Sequence, residues 1–223
     1  MPLAQLIYVV RHGETESNVK GVINDKNINT TLTNIGKTQA IKTGKYFNSK
    51  NITDVHIYSS PSIRAVQTAQ LIANELNINK SKINTDDRIN EMSYGLLSGT
   101  RKGDKINDEY KKECDKMPKD SIDYMLELPA FDKKIVKKYK VESDKHIQER
   151  LTNFFKSLPN KPKHIIIVTH GGIMTYIIRC LFNILQARVV LGDLTSGPNC
   201  CIMCIKNEKN KYELLTAPNT LHL

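Results

Sequence analysis

The chain has 223 residues, enough to bury one substantial core with no length that calls for a second domain, and it carries a formal net charge of +10. Its lysines are scattered and tryptophan is absent, which disfavours a dedicated nucleic-acid face and makes a solvated cationic surface the simpler reading. Five cysteines in a chain of this size argue against a disulfide scaffold and suit a reducing compartment.

The N-terminus, Met1-Pro2-Leu3-Ala4-Gln5, lacks the charged and small-residue features of a signal peptide, and no apolar run is long enough to span a bilayer. A cytoplasmic protein without a membrane partner is expected. Leu6 to Val10 reads as a buried strand that ends at Arg11-His12-Gly13-Glu14-Thr15. Thr33 to Phe47, with Ile35, Ala40, Ile41 and Tyr46 or Phe47, reads as a crossover helix capped by Thr33. Val55 to Tyr58 is a second strand. Ser60-Pro61 then suits a helix start, Ser as cap and Pro at the first position, and Ala65, Ala69, Ile72 and Leu76 recur at helical spacing with Arg64 in the first turn.

From about Gly99 to Val141 the rhythm breaks: Lys and Asp are frequent, Pro118 and Pro129 interrupt, and helical patterning is weak. This segment is expected to be a partly helical insertion over one side of a site, with Lys133 to Lys140 as an exposed edge. His164 to Val168 is a third strand, and Thr169-His170-Gly171-Gly172 opens an apolar helix from Ile173 to Leu185. Cys200 to Ile205 and Tyr212 to Thr216 read as a terminal hairpin turning at Asn207 to Asn210. Cys200, Cys201 and Cys204 then become buried strand thiols, since no second Cys or His cluster completes a metal site. Strands alternating with helices indicate an α/β fold, a mostly parallel sheet with helices on both faces, which binds ligands beyond the carboxyl ends of its strands.

His12 and His170 each follow a predicted strand, and Arg11 and Arg64 sit at equivalent edges, so parallel neighbours would bring all four to one crevice. Arginine's planar fork matches phosphoryl oxygens, and Gly171-Gly172 at a helix start offers backbone N–H groups to an anion. No Gly-x-x-x-x-Gly-Lys-Ser/Thr loop is present, which argues against a nucleoside-triphosphate site of the usual kind; a histidine could instead act as nucleophile toward phosphorus, with the cations stabilising the transferred charge. A metal site on the two histidines lacks carboxylate partners and faces two arginines. On spacing alone, a phosphate site and a strand-ending histidine in an ordinary polar contact stand as equal alternatives.

Six motifs in order then carry a resemblance: Arg11-His12-Gly13-Glu14-Thr15 with Asn18; Leu32-Thr33-x-x-Gly36-x-x-Gln39-Ala40; Ser59-Ser60-Pro61-x-x-Arg64-Ala65-x-x-Thr68-Ala69; Glu91-x-x-Tyr94-Gly95-x-x-x-Gly99; Glu142-Ser143 with Arg150; and Val168-Thr169-His170-Gly171-Gly172. The ending, Asn219 to Leu223, fits as well. The chain resembles the histidine phosphatase superfamily, which contains phosphoglycerate mutases and small phosphatases, over nearly its whole length. The resemblance implies a phosphoglycerate mutase-like fold in one domain, residues 1–223. It implies that His12 attacks phosphorus, that Arg11, Arg64, Asn18 and His170 hold the phosphoryl oxygens, and that Glu91 serves as general acid and then base with a raised pKa. Gly171, Tyr94 and Asn24 would lie against phosphate or substrate, and no metal is implied.

Departures from the mutase pattern point to hydrolysis of a small phosphorylated metabolite. Gly172 stands where mutases have Asn, Met92 where they have Arg, and the insertion holds no Arg-Arg pair or triple proline. Ser17 replaces the usual Trp before Asn18, and the loop from Val19 to Thr31 runs about a residue long. The alternatives are a mutase, which would use 2,3-bisphosphoglycerate as cofactor, and a non-catalytic phospho-ligand module; oligomeric state is open.

Overall fold

A computed structural model describes residues 4–52, 54–101, 103–116, 133–161, 163–182 and 197–223. Its framework is a mixed, mostly parallel six-stranded sheet: β1 (Gln5–Arg11), β2 (Val55–Ser59), β3 (Ile83–Thr85), β4 (His164–Thr169), β5 (Ile202–Glu208) and β6 (Lys211–Asn219), in the spatial order β3-β2-β4-β1-β5-β6. The pairs β2–β3, β2–β4 and β1–β4 are parallel, while β1–β5 and β5–β6 are antiparallel. The strand β3 is too short and exposed for its three residues to stand out by hydrophobic pattern.

Alternation along the central strands sorts the core into two layers. Ile7, Val9, Ile165 and Ile167 join Phe154 and Leu151 of one helix, Asp144–Ser157, and Ile173, Tyr176 and Ile177 of another, Gly171–Leu181. Val10, Ile57, Ile166 and Val168 point the other way, onto Phe47 of the helix Asn34–Ser49 and Ala65, Ala69 and Ile72 of the helix Ile63–Glu75. All six residues of β4 are buried, because it lies inside the sheet between the two longer parallel strands β1 and β2 and has helices on both faces, whereas β2 borders the short strand β3 and is only partly buried. In chain order the helices are α1 (Glu16–Val19), α2 (Asn34–Ser49), α3 (Ile63–Glu75), α4 (Lys105–Cys114), α5 (Lys133–Tyr139), α6 (Asp144–Ser157) and α7 (Gly171–Leu181).

Several boundaries differ from the sequence expectations. Thr33 caps α2 as expected, its Oγ1 accepting from the Gly36 N–H at 3.0 Å, but Ile35 lies on the solvent side at 60% exposure while Phe47 is buried. Ser60 does not cap α3: the helix begins at Ile63 after Ser62, because the Ser60 hydroxyl is taken by His170 and Asn90. Helix α7 starts two residues early, at Gly171, and its last described residue is Leu181; the expected end at Leu185 lies outside the described residues.

Of the segment Lys133 to Lys140, Lys133–Tyr139 is a helix and not an exposed edge, since Ile135 and Tyr139 pack with Leu97 and Val141 while Lys140 leaves the helix at positive φ. The insertion also supplies α4; Pro118 and Pro129 lie outside the described residues. Of the three clustered thiols only Cys204 sits on a strand, and it is half-buried; Cys200 and Cys201 are buried but precede β5. The hairpin turns on Lys209 and Asn210, both at positive φ, the geometry a tight two-residue turn demands. No described helix is long and apolar enough to cross a membrane.

Candidate active site

Because β4 lies between β2 and β1, the three chain segments that leave their carboxyl ends meet at one point. The ladder continues one residue past the strands: the His12 N–H donates to the Thr169 carbonyl at 2.9 Å and the Ser60 N–H to the Val168 carbonyl at 2.9 Å. This brings His12, His170 and the start of α3 together. The two histidine rings lie 5.3 Å apart between centroids, and Arg64, on the first turn of α3, is fully buried beside them. Gly13 and Gly36 permit the loop after β1 to lie on the first turn of α2, where a Cβ at Gly13 would run into the Gly36 carbonyl.

Each ring has one nitrogen assigned by its partner. His12 Nδ1 is 2.7 Å from the Gly13 carbonyl, which can only accept, so Nδ1 carries hydrogen and Nε2 keeps its lone pair. Burial, then Arg64, then Arg11 push the His12 pKa well below 6.5, so the ring is neutral at neutral pH. His170 Nε2 is 2.7 Å from Ser60 Oγ, while its Nδ1 is buried without a partner. Burial and the neighbouring Arg64, His12 and Arg11 lower its pKa as well.

The arginines reach the site in a manner that the sequence did not show. Arg11 Nη1 donates to the Gly197 carbonyl at 2.6 Å. Arg64 directs Nη1 to Asn24 Oδ1 and the Ile28 carbonyl, and Nη2 to the Asn24 and Asp25 carbonyls, at 2.9–3.3 Å. Both Nη groups of Arg64 are thus committed to the loop after α1, and the two-pronged grip expected of it is not available in this arrangement. What both arginines leave over is Nε, buried and unpartnered in each.

Glu91 is buried, its Oε1 accepting from the Met92 N–H at 3.0 Å. Desolvation raises its pKa, outweighing the Met92 bond and the nearby Arg64 and Arg11, so the cause of the expected shift is burial. Glu91 lies against the start of α7: a Cβ built on Gly172 would stand 2.8 Å from Glu91 Oε1 and 3.2 Å from the Tyr94 hydroxyl. Behind it, Glu142 Oε2 accepts from the Ser93 N–H at 3.1 Å and Glu142 Oε1 from Arg150 Nε at 2.8 Å, an arrangement that braces the acid-bearing loop. Tyr94 sits beside Glu91, with the Asp25 carboxylate accepting from its backbone N–H at 3.2 Å.

Asn18 is connected to His12 through Asn199, whose Nδ2 reaches both Asn18 Oδ1 and the His12 carbonyl. Asn18 Oδ1 accepts from the Thr15 N–H and Oγ1–H, and no described acceptor meets its Nδ2. Asn24 is brought to Arg64 and to Thr30 Oγ1, 2.6 Å from its Nδ2, so its amide binds the loop to the arginine. Gly171 is buried at the head of α7, where the first backbone N–H groups have no helical partner.

Sequence reasoning missed Asn199 and Asn90, and it read Ser60 as a helix cap and Thr68 as a motif position without placing either in the site. Asn199 Nδ2 donates to the His12 carbonyl at 3.1 Å and to Asn18 Oδ1 at 3.2 Å, and Thr68 Oγ1 accepts from the Gly13 N–H at 3.0 Å. Asn199 belongs to no segment with a signal of its own, whereas Asn90 directly precedes Glu91. Among the described residues no group of three His, Cys, Asp or Glu side chains could hold a metal ion.

Comparison with known proteins agrees with this geometry. The chain is 26% identical over 211 residues to a 2,3-bisphosphoglycerate-dependent phosphoglycerate mutase of Pelagibacter ubique, covering 86% of each. It is 24% identical over 202 residues to the fructose-2,6-bisphosphatase TIGAR B of Danio rerio, covering 82% of this chain and 77% of that protein. The fold superposes on the crystal structure of phosphoglycerate mutase from Bacillus anthracis with a TM-score of 0.77 at 18% identity, covering 99% of this chain and 96% of that one. With the strand-end histidines and the family match spanning residues 7–220, the chain belongs to the histidine phosphatase superfamily (branch 1), an enzyme family with both phosphatases and mutases among these relatives.

Proposed function

We propose that the protein is a phosphomonoesterase that hydrolyses a small phosphorylated metabolite through a phosphohistidine on His12. The observation that carries this reading is a set of three buried nitrogens without partners, Arg11 Nε, Arg64 Nε and His170 Nδ1, around a histidine whose Nε2 is free. Buried polar atoms are almost always satisfied, so three orphans in one crevice mark a place for a polar ligand: the two arginine Nε–H groups donate to its oxygens, and His170 Nδ1 can take the proton of a phosphate ester monoanion and then donate in turn. A phosphoryl group supplies three oxygens and negative charge.

In the first half-reaction His12 Nε2 attacks phosphorus, the ester P–O bond breaks, and protonated Glu91 gives its proton to the departing oxygen. The Gly13 carbonyl, held on Nδ1–H, stabilises the positive charge that the ring acquires. In the second, water attacks phosphorus, Glu91 takes its proton, and the N–P bond breaks to release phosphate. The arginine N–H groups, with His170 once its Nδ1 holds the proton of the ester, provide the charge stabilisation that a metal would otherwise supply, so turnover is expected without added metal.

Hydrolysis is favoured over mutase transfer by Gly172. A larger residue there would meet Glu91 and Tyr94 unless both moved, and the acid held so close to α7 suits protonation of a leaving alkoxide followed by activation of water. Purified protein is expected to release phosphate from an aryl phosphate and from alkyl phosphates. Glu91→Gln should slow alkyl phosphates by about 10²–10⁴-fold and an aryl phosphate much less, because the aryl oxide needs little protonation. Bisphosphoglycerate-stimulated interconversion of 2- and 3-phosphoglycerate faster than phosphate release would overturn the proposal in favour of a mutase.

A further inference from the structure

We infer that Asn90 is a positioning residue that sets which nitrogen of His170 carries the ring hydrogen, leaving the lone pair of Nδ1 free to take a proton from the phosphoryl group, and that through the same atom it anchors the backbone of the general acid. The inference rests on the phosphoryl-transfer reading for its kinetic part only; its structural part concerns the resting protein.

The Asn90 side-chain atom labelled Oδ1 lies 2.9 Å from the Glu91 backbone nitrogen. A backbone N–H can only donate, so this atom is the amide oxygen and the orientation of Asn90 is determined by chemistry. The same oxygen receives Ser60 Oγ at 3.0 Å and Ser62 Oγ at 2.9 Å. A serine hydroxyl has one hydrogen, and Ser60 gives it to Asn90. Toward its other neighbours Ser60 Oγ must therefore accept: from the Ser62 N–H at 3.3 Å, and from His170 Nε2 at 2.7 Å.

His170 Nε2 consequently carries hydrogen. In the neutral ring the lone pair is on Nδ1, the nitrogen that is buried and unpartnered next to the His12 ring. Without an acceptor at position 90, the Ser60 hydroxyl is free to turn and donate to Nε2, which would move the ring hydrogen to Nδ1. The Glu91 N–H would lose its acceptor in the same step. One amide oxygen thus links the hydrogen placement on the second histidine to the seat of the acid.

The test is ¹⁵N NMR of histidine-labelled protein together with steady-state kinetics. The resting wild type should show His12 as the Nδ1–H and His170 as the Nε2–H tautomer. Asn90→Leu, close in shape but without an acceptor, should populate the Nδ1–H form of His170 and lower kcat for an alkyl phosphate by up to about 10²-fold, the cost of a misplaced catalytic group. Asn90→Asp retains an acceptor and should restore the Nε2–H form.

Ser60→Ala leaves Asn90 intact and cuts the link, so it should abolish the tautomer preference even if Asn90→Leu fails to fold. The inference is overturned if His170 retains the Nε2–H form in folded Asn90→Leu or in Ser60→Ala, or if Asn90→Asp matches Asn90→Leu. Because the spectra need no substrate, loss of the tautomer shift would sink the role of Asn90, whereas absence of phosphatase activity with the shift present would sink the function.

Discussion

The ends of β1 and β4 are built alike and wired differently. They pair in register, Arg11 opposite Thr169, and each is followed by His-Gly. Yet His12 gives Nδ1–H to the carbonyl of its own neighbour, Gly13, while His170 offers Nε2 to a hydroxyl from a third strand's end. The first wiring frees Nε2, the nitrogen farther from the backbone, which in the proposed reaction attacks phosphorus. The second holds Nε2 and leaves Nδ1 buried and unpartnered, to meet the phosphoryl group in the same proposal. Which nitrogen each ring leaves free is decided by its single hydrogen bond and not by its place on the sheet.

The strongest way to break this comparison is to remove each ring in turn. His12→Ala should reduce turnover by at least about 10⁴-fold, as loss of a nucleophile does. His170→Ala removes one stabilising group and should lower turnover by about 10²–10³-fold. A labelled phosphodonor should mark His170→Ala on histidine and leave His12→Ala unmarked. Label on His12→Ala would reverse the assignment.

Gly172→Ala comes next, since it tests the side of the site that His170 shares with Glu91. The added methyl must push Glu91 or Tyr94 aside, and a loss of up to about 10²-fold is expected in kcat for alkyl phosphates, with a smaller loss for an aryl phosphate. Equal losses on both substrates would show that the acid had not been the group displaced.

On the His12 side, Asn199→Ala should cost about tenfold, the order of one lost hydrogen bond, and the loss should disappear in an Asn18→Ala background if Asn199 acts by holding Asn18 Oδ1. Additive losses in the double variant would refute that coupling.

The smallest effect is on stability against pH. Both histidines have folded pKa values lowered below 6.5, so as pH falls through 6.5 the unfolded chain binds protons that the folded chain does not, and stability is lost. Glu91 has the opposite sign: its raised folded value means stability present below the unfolded carboxylate range and lost as pH rises through the folded value. Between pH 6.5 and 5.5 a histidine kept neutral in the fold loses about 1 kcal/mol of stability, and Glu91 works against that loss where it titrates. Calorimetry should show a steeper loss in Glu91→Gln and a flatter one in His12→Gln/His170→Gln. A profile unchanged by the histidine replacements would mean that neither ring is held neutral.

Much of the frame was legible before the structure. Parallel strands ending at Arg11-His12 and Thr169-His170 follow from apolar runs whose length and content suit burial on both faces, and Thr33 announces α2 by a local bond to Gly36. Signals of that kind are contained within a few residues. The misreadings fall where a distant partner outcompetes the local preference. Ser60-Pro61 has the composition of a helix start, but the Ser60 hydroxyl meets His170 and Asn90 across the sheet, and the helix begins later. Lys133 to Lys140 shows mostly its cations, and only its packing on Leu97 reveals the buried Ile135 and Tyr139.

The site divides along the same line. Residue types and spacing allowed His12, His170, Arg11 and Arg64 to meet at one crevice on condition that their strands are parallel neighbours, and the family resemblance added Glu91; the strand order that meets the condition is a property of the tertiary structure. Tertiary structure alone decided which atoms are left for a substrate: Nε2 of His12, Nδ1 of His170 and Nε of each arginine. That choice is made by Gly13, Ser60 with Asn90, Gly197 and the carbonyls of residues 24, 25 and 28. A hydrogen bond is short and directional, so it depends on a contact between segments far apart in the chain that no spacing along the sequence encodes.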